Sequence, residues 1–264
     1  MSFNKQTSYD LGQYVAEIYD QTECYADDIE LLTSLIGKRT QLRVLEPFCG
    51  TGRIAIPLAL DGHCVVGMDK SKGMIDRFQF KLQQSFNNIS NQVDISEADV
   101  IDTPWPASFD LVVLGANCFY ELATAAEQEH CIRSAARSLG KNGYVFVDND
   151  HMEGPLDESW QDTGVVSRSL EGTSRDGSRV LTTRETIWFN VEERLARIRR
   201  RATVTKPDGG FLEEEFIQQK HPASAAEVSD WLTKHGFTIE KQLGSWKGTP
   251  YTEESERAIY WAHI

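Results

Sequence analysis

Apolar residues recur at helical spacing twice near the start of the chain. Leu11, Val15 and Ile18 form one stripe, and Ile29, Leu32, Leu35 and Ile36 form another. They predict two amphipathic helices within residues 10–37. Then the period changes. Short apolar runs at residues 42–45, 64–68, 93–95, 109–115 and 144–147 read as strands. Helical stretches separate them at residues 54–60, from the cap Ser71 to about residue 84, and at 123–139, the last closed by Gly140. Strand–helix alternation of this kind implies parallel strands joined by crossovers, with helices on both faces of one sheet. Such a sheet binds ligands beyond the carboxyl ends of its strands.

The rhythm changes again after residue 152. Four strand-like stretches, at 164–170, 179–190, 195–206 and 211–220, are separated by turn signals. These are Arg175-Asp176-Gly177-Ser178, the polar bend 190–194, and Pro207-Asp208-Gly209-Gly210. This is an antiparallel meander. A helix at 223–234, ended by Gly236, and strands at 237–243 and 257–263 close the chain. The expected fold is α/β: a Rossmann-like, doubly wound, mostly parallel sheet with an antiparallel C-terminal strand and an inserted antiparallel β meander. The expected organisation is an N-terminal helical lid at 1–38, a ligand-binding domain at 39–152 and 221–264, and the inserted β subdomain at 153–220.

Composition narrows the function. The chain has 264 residues, 40% hydrophobic and 25% charged, which suits one α/β domain with an insertion. No apolar run approaches the ~18 residues of a membrane span. The first ten residues are polar, without the apolar core of a signal. A cytoplasmic protein without a membrane partner is expected. The net charge of −13 repels phosphate backbones and argues against a nucleic-acid partner. The one basic run, residues 194–201, reads as a solvated strand or helix edge. Five scattered cysteines and six isolated histidines offer no disulfide framework and no metal-ligand spacing.

The chemistry centres on the turn after the first strand, Glu46-Pro47-Phe48-Cys49-Gly50-Thr51-Gly52-Arg53. Glycines there let the backbone approach a ligand closely, and the helix that follows presents free N–H groups. Gly50-x-Gly52-x-x-Ala55 also fits the dinucleotide fingerprint, so an NAD(P)-dependent oxidoreductase is an alternative. Asp69 lies 19 residues beyond Gly50, at the end of the second strand, where an acid takes ribose hydroxyls in either case. Glu46 discriminates between them. A carboxylate just before the glycines opposes a pyrophosphate and suits a cationic ligand.

These residues resemble the first motif of the class I S-adenosylmethionine-dependent methyltransferases. The resemblance covers residues 40–150 well. It implies that Glu46, Phe48, Gly50, Thr51, Gly52 and Arg53 wrap the methionine part of the cofactor. By the same resemblance Asp69, beside Lys70, grips the ribose and Met74 packs on the adenine. Asp99, with Val100, meets the adenine amino group, and Ala116 and Asn117 stand at the site mouth. Phe48 departs from the family, which often has a small residue there. Transfer of an aminopropyl group, or a non-catalytic cofactor-binding module, are further alternatives.

Residues 117–122 and 147–151 also resemble the small-molecule N-methyltransferases related to glycine N-methyltransferase. Those carry an antiparallel insertion after the fifth strand and an Arg that pairs with the substrate carboxylate. That place falls at Asp150 here, which speaks against a glycine-like carboxylate substrate. The expected acceptor is a small molecule, an amine rather than a phenol or alcohol. Asp148, Asp150 and Glu121 would favour it. Tyr120, Asp150 and His151 are the catalytic candidates, with His151 acting as a base or orienting the acceptor. The unpaired edges of the meander leave room for a homodimer contact.

Overall fold

The computed structural model describes residues 8–150 and 158–264. Seven strands form the main sheet: β1 (Arg43–Glu46), β2 (Cys64–Asp69), β3 (Val93–Glu97), β4 (Phe109–Leu114), β5 (Leu139–Asp150), β10 (Thr238–Leu243) and β11 (Arg257–His263). Their spatial order is β10-β11-β5-β4-β1-β2-β3. Pairings are parallel from β3 to β5, and β11 runs antiparallel to both its neighbours. The chain reverses direction across the sheet between β1 and β4, where loops part at the strands' carboxyl ends.

Both faces of this sheet are covered at its centre, so its central strands are apolar through most of their length. In β4, Val112 and Leu114 face one layer while Leu111 and Val113 face the other. The first layer holds α5 (Ala125–Ser138) and α7 (Ala225–Lys234), through Ile132, Ala135, Val228 and Leu232. The second holds α2 (Asp27–Ile36), α3 (Ala55–Leu60) and α4 (Lys72–Ser85), through Leu32, Leu58, Ile75 and Phe78. Side-chain caps fix the helix starts, at Ser71 as expected and at two further positions. Ser71 accepts from the Met74 N–H, Thr124 from the Glu127 N–H, and Ser224 with Glu227 closes a reciprocal capping box.

The meander forms a second, four-stranded antiparallel sheet of β6 (Val166–Thr173), β7 (Arg179–Asn190), β8 (Leu195–Thr205) and β9 (Phe211–Lys220). Helix α1 (Ser8–Thr22) fills the space between the two sheets. Leu11 and Ile18 pack on Val180 and Val204 of the small sheet. On its other side α1 crosses α4 closely, and a Cβ on Gly73 would stand 2.5 Å from the Gly12 carbonyl carbon. A four-residue helix, α6 (Glu158–Gln161), sets Trp160 against Ala196 and Ile198 of β8.

Three local expectations are corrected. The fifth strand starts at Leu139, not residue 144, because Leu139 pairs with Phe109 of β4. The Lys141-Asn142-Gly143 turn signal survives within it as a register shift, with Asn142 at φ 63°. Tyr25 lies between α1 and α2, not within a helix. The basic run is not uniformly solvated. Its inward face reads Ala196, Ile198, Arg200, Ala202, Val204, and Arg200 is half-buried. No helix among the described residues is long and apolar enough to cross a membrane.

Candidate active site

Two glycines shape the turn after β1 for different reasons. Gly52, at φ 80°, sits so close to α4 that a Cβ would lie 2.4 Å from the Phe78 ring. Gly50, at φ 51°, has nothing within 4 Å of its would-be Cβ and borders open space. The turn is anchored to β2 by the Cys49 N–H, which donates to the Met68 carbonyl at 3.0 Å. Asp69 extends the anchor. Its carboxylate accepts from the Gly50 N–H at 2.9 Å and the Ser71 N–H at 2.8 Å, joining the glycine turn to the start of α4. Burial raises its pKa despite both donors.

These loops enclose a cavity of about 560 Å³, within the range of small-molecule sites. Phe48 and Gly50 line it from the first turn, and Asp69, Lys70 and Met74 from the second. Asp99 and Val100 follow β3, where Asp99 accepts from the Ile101 N–H at 2.9 Å and Trp105 Nε1 donates to the Val100 carbonyl at 2.8 Å. Ala116 closes this end, at φ 55°.

Other candidates lie behind the wall. Glu46 is 4% exposed, with Oε2 lacking a hydrogen-bond partner among the described residues. Burial pushes its pKa up to about 8, more than the nearby Arg53 lowers it. Thr51 donates to Asp20 of α1 at 2.6 Å, and Asp20 is also held by Arg77 and Lys81 of α4. Arg53 turns to the helical segment. It makes a two-pronged pair with Asp28 of α2, at 2.6 and 2.8 Å, and covers the Tyr25 ring. Gly52 serves packing, as above. None of these side chains borders the cavity.

The carboxylates after β5 require a larger correction. Asp148 is fully buried and accepts from Arg257 Nε at 2.7 Å and Trp246 Nε1 at 3.1 Å. Asp150 accepts from Arg257 Nη1 at 2.5 Å and from the Asn117 amide at 3.1 Å. Asn117, at φ 57°, returns its carbonyl oxygen to the Asp150 N–H and to Arg257 Nη2. So Asp148, Asp150 and Asn117 form a closed network around Arg257 that does not border the cavity. They do not present free negative charge to an acceptor. Sequence reading missed Arg257 because it lies more than a hundred residues from its partners. Tyr120 lies outside the cavity lining too, edge-on to Trp160. His151 lies outside the described residues.

At the far end the cavity is walled by Val15 and Tyr19 of α1, Glu121 after β4, and Leu170 and Arg200 of the small sheet. Glu121 is half-exposed and accepts from Gln218 of β9 at 3.1 Å. Arg200 had no role in the sequence reading. Its signal was the alternation of β8, which places it among inward-facing apolar residues.

A doubly wound sheet whose glycine turn, second-strand acid and third-strand acid converge on one roofed cavity defines a cofactor-dependent α/β enzyme. The sequence profile of a family described as a methyltransferase domain matches residues 38–191. The chain belongs to that family, the S-adenosylmethionine-dependent class I methyltransferases, and its cofactor is S-adenosylmethionine. The nicotinamide alternative is thereby set aside. A cypemycin N-terminal methyltransferase from Streptomyces is 26% identical over 257 residues, spanning 92% of this chain and 96% of the relative. Among solved structures, a methyltransferase from Clostridium acetobutylicum superposes with a TM-score of 0.74 at 12% identity, covering 95% and 98% of the two chains. The sugar N-methyltransferase KedS8 from Streptoalloteichus gives 0.69 at 17% identity, covering 100% and 96%.

The residues present fit that cofactor. Gly50 leaves its approach open, and the second and third loops contribute carboxylates to the lining, Asp69 from the second and Asp99 with Asp102 from the third.

Proposed function

We propose that the enzyme methylates a nitrogen of a small-molecule acceptor. The observation that carries this reading is the roof. Helix α1 and the small sheet close over the cavity mouth, with Val15, Tyr19, Leu170 and Arg200 facing the loops of the main sheet. A space of about 560 Å³ bounded on that side suits a small molecule or a chain terminus. Glu121, the half-exposed carboxylate at that end, favours an amine. The relative named as an N-terminal methyltransferase and the neighbour named as a sugar N-methyltransferase support nitrogen as well.

Residue roles follow from position. Asp69 would hold the ribose hydroxyls, its two backbone donors fixing its orientation. Asp99 would meet the adenine amino group, and Met74 would pack on the ring. Glu46, Thr51 and Arg53 act through the wall, by holding the glycine turn against β1, α1 and α2. When bound, the cofactor supplies an electrophilic methyl group on a sulfonium, which an acceptor lone pair can displace in line. The protein's task is then chiefly positioning and exclusion of water. Tyr19 and Val15 exclude water from above. Glu121 attracts the ammonium form of an amine and can take its proton.

The test is turnover by the full chain with S-adenosylmethionine and a panel pairing amines with matched phenols and alcohols, read as S-adenosylhomocysteine release and product mass. Methylated amines are the expected result. Products from phenols alone would move the acceptor to oxygen. Cofactor binding without any turnover would favour a non-catalytic module.

A further inference from the structure

The inward face of the small sheet places an arginine against the cavity. In β8 the residues turned toward the cavity side are Ala196, Ile198, Arg200, Ala202 and Val204. Four are small or apolar and pack on α1 or on Trp160. The fifth is an arginine. Its guanidinium makes no hydrogen bond or ion pair among the described residues, yet it lines the same cavity as Asp69 and Asp99.

The surroundings sharpen the anomaly. Arg200 stands directly opposite Arg184 of β7, a like-charge cross-strand pair that destabilises a sheet. Lys220 of β9 shares the face, buried, with its Nζ 3.9 Å from Glu121 and 5.5 Å from the centre of the Tyr120 ring. Glu214 also shares the face, opposite Ala202, and pairs with none of these cations. Burial lowers the pKa of both Arg200 and Lys220, as expected for cations withdrawn from water beside other cations. Arginine cannot shed its proton to escape that cost. A chain with a net charge of −13 has many carboxylates, yet among the described residues Glu121 is the one that acts on Arg200.

We propose that Arg200, flanked by Lys220 and Arg184, is an anion subsite that holds a carboxylate or phosphate group of the methyl acceptor. This rests on the reading of the acceptor as a small amine, and it narrows that class to amines bearing an anionic group. Glu121 and Arg200 then grip opposite charges of one molecule, which fixes the direction its nitrogen faces. The absence of an arginine at Asp150 does not exclude a carboxylate substrate, because the small sheet supplies the cation from another strand. The cofactor's own carboxylate is the competing occupant. Arg200 is assigned to the acceptor because it belongs to the roof with Leu170, across from Glu121, whereas the cofactor residues belong to the loops of β1 to β3.

The test uses the full chain, first titrated calorimetrically with S-adenosylhomocysteine, then at saturation with inorganic pyrophosphate or malonate. One of the two anions is expected to bind saturably. Arg200→Gln should weaken that binding about tenfold or more, as loss of a charged hydrogen-bond donor does. Arg200→Lys should recover part of it, and Lys220→Met should weaken it independently. Preference for pyrophosphate assigns the phosphate source; preference for malonate assigns the carboxylate. Arg200→Gln removes a like-charge contact and the burial of a guanidinium, so the melting temperature should not fall. The proposal is overturned if neither anion binds, or if wild type and Arg200→Gln bind it equally. It is also overturned if Arg200→Gln loses S-adenosylhomocysteine affinity while anion binding stays unchanged. If wild type does not bind S-adenosylhomocysteine, the methyl-transfer reading itself fails, before any anion is added.

Discussion

Trp246 lies flat on Tyr25, with ring centroids 5.2 Å apart and planes inclined by 16°. A guanidinium caps each outer face: Arg53 at 4.3 Å from the Tyr25 centroid and Arg257 at 4.4 Å from the Trp246 centroid. The four-member stack joins the α1–α2 connection, the glycine turn and the loop between β10 and β11. Trp246→Ala removes the aromatic contact, the cation–π partnership with Arg257, and the donor to Asp148. A loss of about 2 kcal/mol is expected, with weaker S-adenosylmethionine binding because Tyr25, which Arg53 covers, loses the ring it rests on. Trp246→Phe should keep most of the stack and lose only the Asp148 hydrogen bond. Denaturant melts and cofactor titrations of the two variants check this. Equal behaviour of Ala and Phe variants would mean that the stack contributes nothing.

Arg257 is the shared partner of Asp148 and Asp150. Arg257→Met leaves the buried Asp148 carboxylate without its cation, a change that typically costs about 3–5 kcal/mol. The sign with pH follows. Burial already raises the Asp148 pKa, and losing Arg257 raises it further. The folded variant then holds a proton that the unfolded chain releases, so its deficit should grow as pH rises from about 4 and shrink in acid. A deficit independent of pH would show that lost packing, not charge, is responsible.

Glu46 offers a second pH test. It keeps its proton in the folded chain up to about pH 8 but ionises near 4.5 when unfolded. Between those values the unfolded state binds fewer protons, so Glu46 lowers stability progressively as pH rises from about 4.5 to about 8. The slope is at most about 1.4 kcal/mol per pH unit. Glu46→Gln removes it, and the variant's advantage in melting temperature should widen from pH 5 to 8. Parallel curves for the two proteins would count against a protonated Glu46.

The two glycines separate packing from access. Gly52→Ala drives a Cβ into Phe78 and strains a positive φ, so loss of stable fold by several kcal/mol (about 3 or more) is expected. Gly50→Ala meets no atom within 4 Å and should cost only about 1 kcal/mol of backbone strain. Its methyl group lies where the cofactor would approach, so S-adenosylmethionine affinity should fall far more than stability. Calorimetry beside thermal melts would separate them, and a Gly50→Ala variant with intact affinity would move the cofactor away from this turn.

Asp69→Asn replaces an acceptor of two backbone N–H groups by a neutral amide. Cofactor affinity should fall about tenfold or more, with a modest loss of melting temperature because one oxygen can still accept. Unchanged affinity would remove Asp69 from the cofactor's reach.

Local pattern by itself determined most of the architecture. Helical periodicity, the cap at Ser71, and glycine turns act over a few residues, so a linear reading captures them. The same holds for the glycine turn, Asp69 and Asp99, which close successive strands and fall together at one sheet edge by topology alone. Only the tertiary structure decided which charges remain free. Asp148 and Asp150 looked available until Arg257, on a neighbouring antiparallel strand, tied up both. Arg200 looked solvated until the pairing of β8 turned it inward, one residue out of phase with Arg199 and Arg201. A one-residue change of phase in a strand exchanges its two faces. Charge pairing depends on which strands become neighbours, and neither is written in the local sequence.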